Sequence, residues 1–185
     1  VSAPLALLEE NGWEIVKIPT AKGVLDINAL GAELSAGAAF VTIMLANNET
    51  GAKYDIAAVR RAIDKSGSGA LFHCDAVQGY LKTADRRAIA KNCDLASISA
   101  HKIGGLKGVG ALYIKSGVRI PAFIRGGGQE GGLRSGTENI VGIASFGAAA
   151  EAFTTEVLSH VSELYNYLIG LLSENEKIKL HIPNE

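Results

Sequence analysis

Lys102 stands just beyond an apolar run, Leu95 to Ala100, that reads as a buried strand; Ser99 and His101 precede it and glycines follow at once. Burial at the end of an interior strand disfavours the ammonium form, which is how a lysine becomes a nucleophile near neutral pH. The plainer expectation is that Lys102 leaves the sheet for solvent, where lysines are mostly found. Two further apolar runs end in polar groups: Asn47 follows Ala39 to Ala46, and His73 and Asp75 lie within Ala70 to Asp75. In open α/β sheets ligands bind beyond the carboxyl ends of the strands, so these side chains are candidates to converge. A buried Asp75 needs a cationic or hydrogen-bonding partner, of which a nearby lysine would be only part.

Strand alternation sorts these groups further. His73 and Asp75 share one face and Cys74 points to the other, so Cys74 reads as a small core residue. Cys93 precedes a strand with no sequence signal of a lowered thiol pKa, and it too reads as structural. A lone histidine among apolar residues is usually a satisfied core residue. His101 has Ser99 on its strand and Lys102 beside it, and that cluster also suits a phosphate or another anion. Asp85 and Asp94 read as cap or loop residues.

The elements that must position these groups follow from periodicity. Pro4 to Asn11 suggests a helix closed at Gly12, and Trp13 to Ile18 alternates like a strand. Leu25 to Leu34 is a short amphipathic helix with Asp26 near its start. Ala39 to Ala46 is almost wholly apolar, as expected of a strand covered on both faces. Asn47 to Gly51 breaks it with turn residues, and Asp55 to Ser66 is a helix with an acid in its first turn. Strand Ala70 to Asp75, helix Asp85 to Asn92 and strands Leu95 to Ala100 and Val109 to Lys115 come next. Arg119 to Ile124 suggests another strand, ahead of a glycine-rich loop from Gly126 to Gly136. Thr137 to Phe153 is an Ala-rich helix able to pack closely, Val157 to Leu172 is amphipathic, and Lys177 to Ile182 suggests a final strand. Alternating strands and helices imply an α/β fold with a mostly parallel, doubly covered sheet. A boundary is expected near Thr154 and Thr155, where small residues give way to larger and more charged ones.

Bulk properties exclude several classes. The 185 residues are 48% hydrophobic and 20% charged, an ordinary globular composition that argues against a disordered chain. A net charge of -1 removes any global electrostatic case for nucleic acid or an anionic membrane. No apolar stretch is long enough to span a bilayer, and the N-terminus has no signal-peptide pattern. Val1 is not an initiator methionine, so the start is expected to be a cut. Two cysteines without metal-ligand spacing fit a reducing, cytoplasmic setting. The segment IGGLKGVG leads into a strand, unlike a dinucleotide fingerprint, and GxxxxGK[ST] is absent. The loop before Thr137 has two readings. It could offer backbone amides and a hydroxyl to phosphate at a helix N-terminus, or it is a flexible crossing loop with Thr137 as an ordinary N-cap.

Four segments together resemble the cysteine desulfurases, in the class V aminotransferase group of pyridoxal-phosphate enzymes. They are MLANNETG (44–51), HCDAVQ (73–78), SAHKIGGLKGVGALYI (99–114) and GGGQEGGLRSGTENI (126–140), in the family's order and spacing. The resemblance covers most of the chain and weakens after about Phe153. It implies the large domain of a fold-type I pyridoxal-phosphate transferase, truncated, over residues 1–155, and the start of a small C-terminal domain over 156–185. It implies that Lys102 holds the cofactor, pyridoxal 5'-phosphate, covalently and later shuttles protons, and that Asp75 pairs with the pyridinium nitrogen. Gln78 would hydrogen-bond the phenolic oxygen, Asn47 would lie near the same ring edge, and Ser99 and His101 would hold the phosphate. Thr137 would reach the phosphate of the neighbouring subunit of a homodimer, with Arg134 in the same loop.

The implied activity is removal of sulfur from L-cysteine, leaving alanine and an enzyme persulfide for iron-sulfur cluster or other sulfur-compound biosynthesis. A sulfur-acceptor or iron-sulfur scaffold protein is a further implied partner; nucleic acid and membrane are not. Family members also carry an upstream glycine-threonine phosphate loop and a ring-stacking histidine, and downstream an acceptor cysteine and a carboxylate-binding arginine. All four are expected to lie outside this chain, which alone would not turn over cysteine. Leu106 replaces a usual proline and Gly131 an often basic residue. Two alternatives remain: another class V enzyme, such as a selenocysteine lyase, a kynureninase-like enzyme or an aminotransferase, and a non-catalytic folding or dimerisation module.

Overall fold

A computed structural model describes residues 2–82 and 87–183. Its centre is a four-stranded sheet in the order β3-β4-β5-β6, formed by Phe40–Met44, Leu71–Asp75, Leu95–Ser99 and Gly110–Ile114. The first three strands run parallel and β6 is antiparallel to β5. A small antiparallel pair, β1 (Thr20–Ala21) and β2 (Val24–Leu25), precedes it.

Register separates the two faces of the sheet. Val41 aligns with Phe72, and Ile43 with Cys74 and Ala96. These residues face the core, against helices α2 (Ile27–Ser35) and α3 (Ile56–Ser66). Leu34, Val59 and Phe72 are the large side chains shut away there, and both cysteines are fully buried beside them. The helices begin where an aspartate caps them. Asp26 Oδ1 accepts from the amides of Asn28 and Ala29, and Asp55 Oδ1 from that of Ala58.

The opposite face carries Thr42, Met44, His73, Asp75, Ser97 and Ser99. This corrects the expectation of a doubly covered β3: Phe40 is 46% exposed and Leu71 37%. The apolar run was right for a strand, but only one of its sides is closed by helices among the described residues. The cross-strand row on the open face is polar and internally matched. Thr42 Oγ1 lies 2.8 Å from His73 Nδ1, and His73 Nε2 lies 2.9 Å from Ser97 Oγ. Two hydroxyls, each donor and acceptor, satisfy both nitrogens of the imidazole in either tautomer.

The amino end of the sheet is locked by an ionic cluster. Asp94, just before β5, accepts from the Phe72 amide at 3.0 Å and from Arg60 Nη2 at 2.6 Å, with Lys115 Nζ at 3.5 Å. Arg60 also lies over the Phe72 ring and donates Nε–H to the Asn92 carbonyl. Asp94 lies in the bend before β5, a loop position as its sequence context suggested, but its side chain is a structural tie rather than a passive loop group. It ties α3, β4 and β6 together.

Helix α4 (Ala88–Asn92) is shorter than the expected Asp85–Asn92; Asp85 lies outside the described residues. Trp13–Ile18, Arg119–Ile124 and Lys177–Ile182 are not strands. Alternation alone does not make a strand without a ladder partner, and Ile124 retains only one isolated bridge, to Arg134. Helix α1 covers Ser2–Glu10. Helices α5 (Ile140–Ala152) and α6 (Thr155–Ser173) meet at a 71° bend, at the composition change noted near Thr154. No single helix is long and apolar enough to cross a membrane among the described residues.

Candidate active site

The carboxyl ends of β3, β4 and β5 lie side by side, with Met44 aligned with Asp75 and Asp75 with Ser97. Each strand then turns into a loop bearing a candidate group three residues on: Asn47, Gln78 and Lys102. Asp75 itself is half-buried on the open face, and among the described residues its carboxylate accepts only the Val77 amide, at 3.1 Å. A carboxylate has room for about four hydrogen bonds, so most of its accepting capacity stays available.

Lys102 does not run out into solvent. Ala100–Ile103 forms a 3-10 turn directly after β5, ended by Gly104 at φ 95°, and Lys102 is half-buried within it. Ser99 Oγ and His101 Nδ1 are 2.9 Å apart at the same strand end. Either tautomer of this pair leaves one outward donor: the serine hydroxyl, or Nε2–H of the imidazole.

The Asn47 and Gln78 loops are built differently. Asn47 Oδ1 accepts from the amides of Glu49 and Thr50, both at 2.9 Å, so the side-chain oxygen shapes its own turn; the NH2 group gives one hydrogen to Met44 Sδ at 3.8 Å and keeps its second for a ligand. Gln78 lies in a tight turn from Ala76 to Lys82. A Cβ on Gly79 would come 2.5 Å from Leu45, so this turn packs onto the β3 loop only because residue 79 has no side chain. Asn47, Gln78 and Lys82 share a recess of about 250 Å³ with Ala46, Asn48 and Lys53.

Helix α5 roofs the lysine turn. Ser145 Oγ accepts the Leu106 amide at 3.1 Å, Gly142 sits where a Cβ would collide with Val109, and Phe146 meets Tyr80 edge-on at 6.2 Å. Small residues at this contact were legible as an Ala-rich helix able to pack closely. Its start was not: Asn139, whose Oδ1 accepts the Gly142 amide at 3.0 Å, is the N-cap, and Thr137 lies ahead of the helix. Thr137 is exposed. Arg134 fastens the glycine-rich loop, donating to the Gly136 carbonyl at 2.6 Å and to Glu130 at 3.3 Å.

Two features escaped sequence reasoning. One is the Thr42–His73–Ser97 row, which depends on register. The other is Lys82, whose Nζ donates to Gln78 Oε1 at 3.0 Å; its spacing of four residues from Gln78 was the available signal. Neither cysteine belongs to the open face. Cys74 and Cys93 hydrogen-bond each other in the core, and that bond together with burial pushes the Cys74 thiol up.

The sequence profile of the class-V aminotransferases matches residues 2–185. The chain belongs to this family. Among curated class-V relatives, a cysteine desulfurase of Klebsiella pneumoniae is 42% identical over 166 residues, covering 87% of this chain and 41% of that protein. The cysteine desulfurase IscS of Anaeromyxobacter sp. (strain Fw109-5) is 48% identical over 147 residues, 78% of this chain and 36% of the relative. The chain thus spans about two-fifths of the curated relatives it matches. Among solved structures, a NifS-like protein superposes with a TM-score of 0.82 at 36% identity, covering 92% of this chain and 46% of the other. DndA from Streptomyces lividans gives 0.83 at 30% identity, over 94% and 51%. The fold is accordingly that of the pyridoxal-phosphate-dependent class-V enzymes, over part of their length.

The donor set on the open face fits that cofactor. A carboxylate complements a basic ring nitrogen, an amide a phenolic oxygen, a primary amine an aldehyde, and the Ser99–His101 pair a phosphate.

Proposed function

We propose that this chain is the cofactor-holding part of a cysteine desulfurase, which removes sulfur from L-cysteine, leaves L-alanine and passes the sulfur to an enzyme cysteine as a persulfide. The observation that carries this reading is the adjacency of Asp75, Gln78 and Lys102 at neighbouring strand ends, with the Ser99–His101 pair at the end of β5. The desulfurase names of relatives 42–48% identical support the choice within the class-V family.

Bound pyridoxal phosphate supplies an electron sink for the bond that breaks. The side chains of this chain do the rest. Asp75 would face the ring nitrogen and favour its protonated form. Lys102 Nζ would hold the cofactor and supply the amine that moves a proton at the reacting carbon. Gln78 and Asn47 offer amide hydrogens to the ring edge, and Ser99 with His101 binds phosphate. Thr137, which is exposed, serves a neighbouring subunit, so the working form is a homodimer with shared sites. Residues 1–155 form the cofactor domain and 156–185 open the small domain, a division supported by the bend after Ala152. Cys74 and Cys93 are too buried to accept sulfur, so the persulfide thiol belongs to another part of the protein. A cytoplasmic setting and an iron-sulfur scaffold or other sulfur-acceptor partner complete the reading.

The test is on the full-length protein. With pyridoxal phosphate it should give a visible band, and borohydride should fix the cofactor onto the peptide containing Lys102. L-cysteine, supplied with a thiol reductant that cleaves the persulfide, should yield alanine and sulfide. Lys102→Ala should lower turnover by roughly a thousandfold or more, the scale of a lost proton-transfer group. Labelling at a different lysine, or amino-group exchange in place of sulfur release, would overturn the proposal.

A further inference from the structure

Lys82 lies beside the candidate site and has no role in the mechanism above. Its Nζ is 3.0 Å from Gln78 Oε1, across one turn of chain. That turn is held by the amide of Tyr80 on the Ala76 carbonyl at 2.7 Å and by that of Lys82 on the Gly79 carbonyl at 3.1 Å. It doubles back through Leu81, which is buried and sits at φ 59°. A leucine in the left-handed region is strained, so the neighbouring packing must hold it there. The consequence of that backbone is that Lys82 returns to face Gln78.

Chemistry then fixes the amide. An ammonium has three donors and no acceptor, so the atom of Gln78 that faces it must be the oxygen. The NH2 group of Gln78 is thereby turned away from Lys82. We propose that Lys82 is a positioning residue: by holding Gln78 Oε1, it leaves the Gln78 NH2 as the group offered to the cofactor's phenolic oxygen. This rests on the reading of Asp75, Gln78 and Lys102 as the cofactor site. Burial, and then the charge of Lys102, hold the Lys82 ammonium below its ordinary range, which places the two amines in one electrostatic neighbourhood.

Without Lys82 the amide can turn over and present Oε1. An acceptor there favours the neutral, protonated phenolic oxygen, whereas a donor favours the ionised one. In the full-length protein loaded with pyridoxal phosphate, Lys82→Met should therefore raise the absorption of the neutral-oxygen form at the expense of the ionised form at fixed pH. It should also weaken cofactor binding by roughly tenfold, the scale of one hydrogen bond to a charged group. Lys82→Arg, still donor-only, should keep the wild-type band ratio. In a Gln78→Leu background, Lys82→Met should change neither quantity by more than about twofold, since the route through Gln78 is gone. An unchanged band ratio in Lys82→Met overturns the inference, as does the same loss in the Gln78→Leu background. A wild-type protein that forms no Lys102-dependent band overturns the site reading itself, which is a different result.

Discussion

Asp75 and Asp94 occupy opposite ends of the same sheet, and their surroundings could hardly differ more. Asp94, at the amino end, is 8% exposed and is gripped by an amide and two cations. Burial pushes its pKa up, but the Phe72 amide, the Arg60 hydrogen bond and the charges of Arg60 and Lys115 outweigh that and hold the carboxyl below its ordinary range. Asp75, at the carboxyl end, accepts a single backbone amide among the described residues and looks onto the open face. One carboxylate is consumed by the fold; the other is positioned by the fold and left for a ligand. The parallel sheet produces this asymmetry, because loops and helix starts gather at the carboxyl ends while the opposite ends only close the core.

The comparison breaks if the two residues trade effects. Asp75→Asn should cut desulfurase turnover at least about a hundredfold, the scale of losing one preorganised electrostatic partner. It should leave stability within about 0.5 kcal/mol, because an asparagine oxygen can still accept the Val77 amide. Asp94→Asn should do the reverse. It removes the shortest ion pair of the mostly buried Arg60, which keeps the Asn92 carbonyl and the more exposed Asp64, and chemical unfolding should show a loss of about 3 kcal/mol, with cofactor affinity unchanged in the folded fraction. Its lowered pKa also sets a pH dependence. The stabilisation by Asp94 is complete above its ordinary value near 4 and is lost as pH falls through the lower folded value. Asp94→Asn should therefore flatten the acid limb of the stability curve. Equal effects of the two substitutions on both measurements would erase the distinction drawn here.

His73 sharpens the comparison from the middle of the sheet. It shares a face with Asp75 but is satisfied on both nitrogens by Thr42 and Ser97. Burial holds its pKa below the ordinary value, partly opposed by the charge of Asp75. A base with a depressed folded pKa binds protons more readily when unfolded, so its stabilisation is present above about pH 6.5 and fades as pH falls below that. His73→Gln should cost roughly 1 kcal/mol at pH 7.5, the worth of a hydrogen bond, and less at pH 5.5. Urea titrations at the two pH values decide it, and a cost that grows on acidification would show the imidazole to be charged in the fold.

Much of this was readable in the chain itself. Apolar runs ending in Asn47, Asp75 and Lys102 announced both the strands and the candidate site, because a parallel sheet concentrates polar residues just beyond apolar ones. Helix starts near Asp26 and Asp55 were equally plain, although their role as N-caps appears only in the structure. What stayed hidden depended on register or on distant partners. Asp94 is the loop residue it looked to be, but its ionic role was hidden because Arg60 and Lys115 are far from it in sequence. Trp13–Ile18 alternated as a strand does, yet sheet formation needs an edge to pair with, and no local pattern supplies one. The half-open face of β3 was hidden for a related reason: an apolar run reports what a strand prefers to touch, not what covers it. Lys82 was passed over because a lysine four residues from a glutamine is common, and only the turn through Leu81 makes it a contact.

The smallest effect concerns how the open end is roofed. Tyr80, two residues beyond Gln78, and Phe146 on α5 meet edge to face, with centroids 6.2 Å apart and planes at 80°. Such pairs contribute about 0.5–1.5 kcal/mol beyond their buried area. A double-mutant cycle with Tyr80→Leu and Phe146→Leu should return a coupling near the lower end, about 0.5 kcal/mol, because both rings are only half-buried. The Leu106–Ser145 hydrogen bond and the close Gly142–Val109 approach still hold α5 to the lysine turn in either single variant. Cofactor affinity should accordingly move less than about twofold in each. A larger change in affinity than in stability would mean that this ring pair, and not the lysine turn, holds α5 over the site.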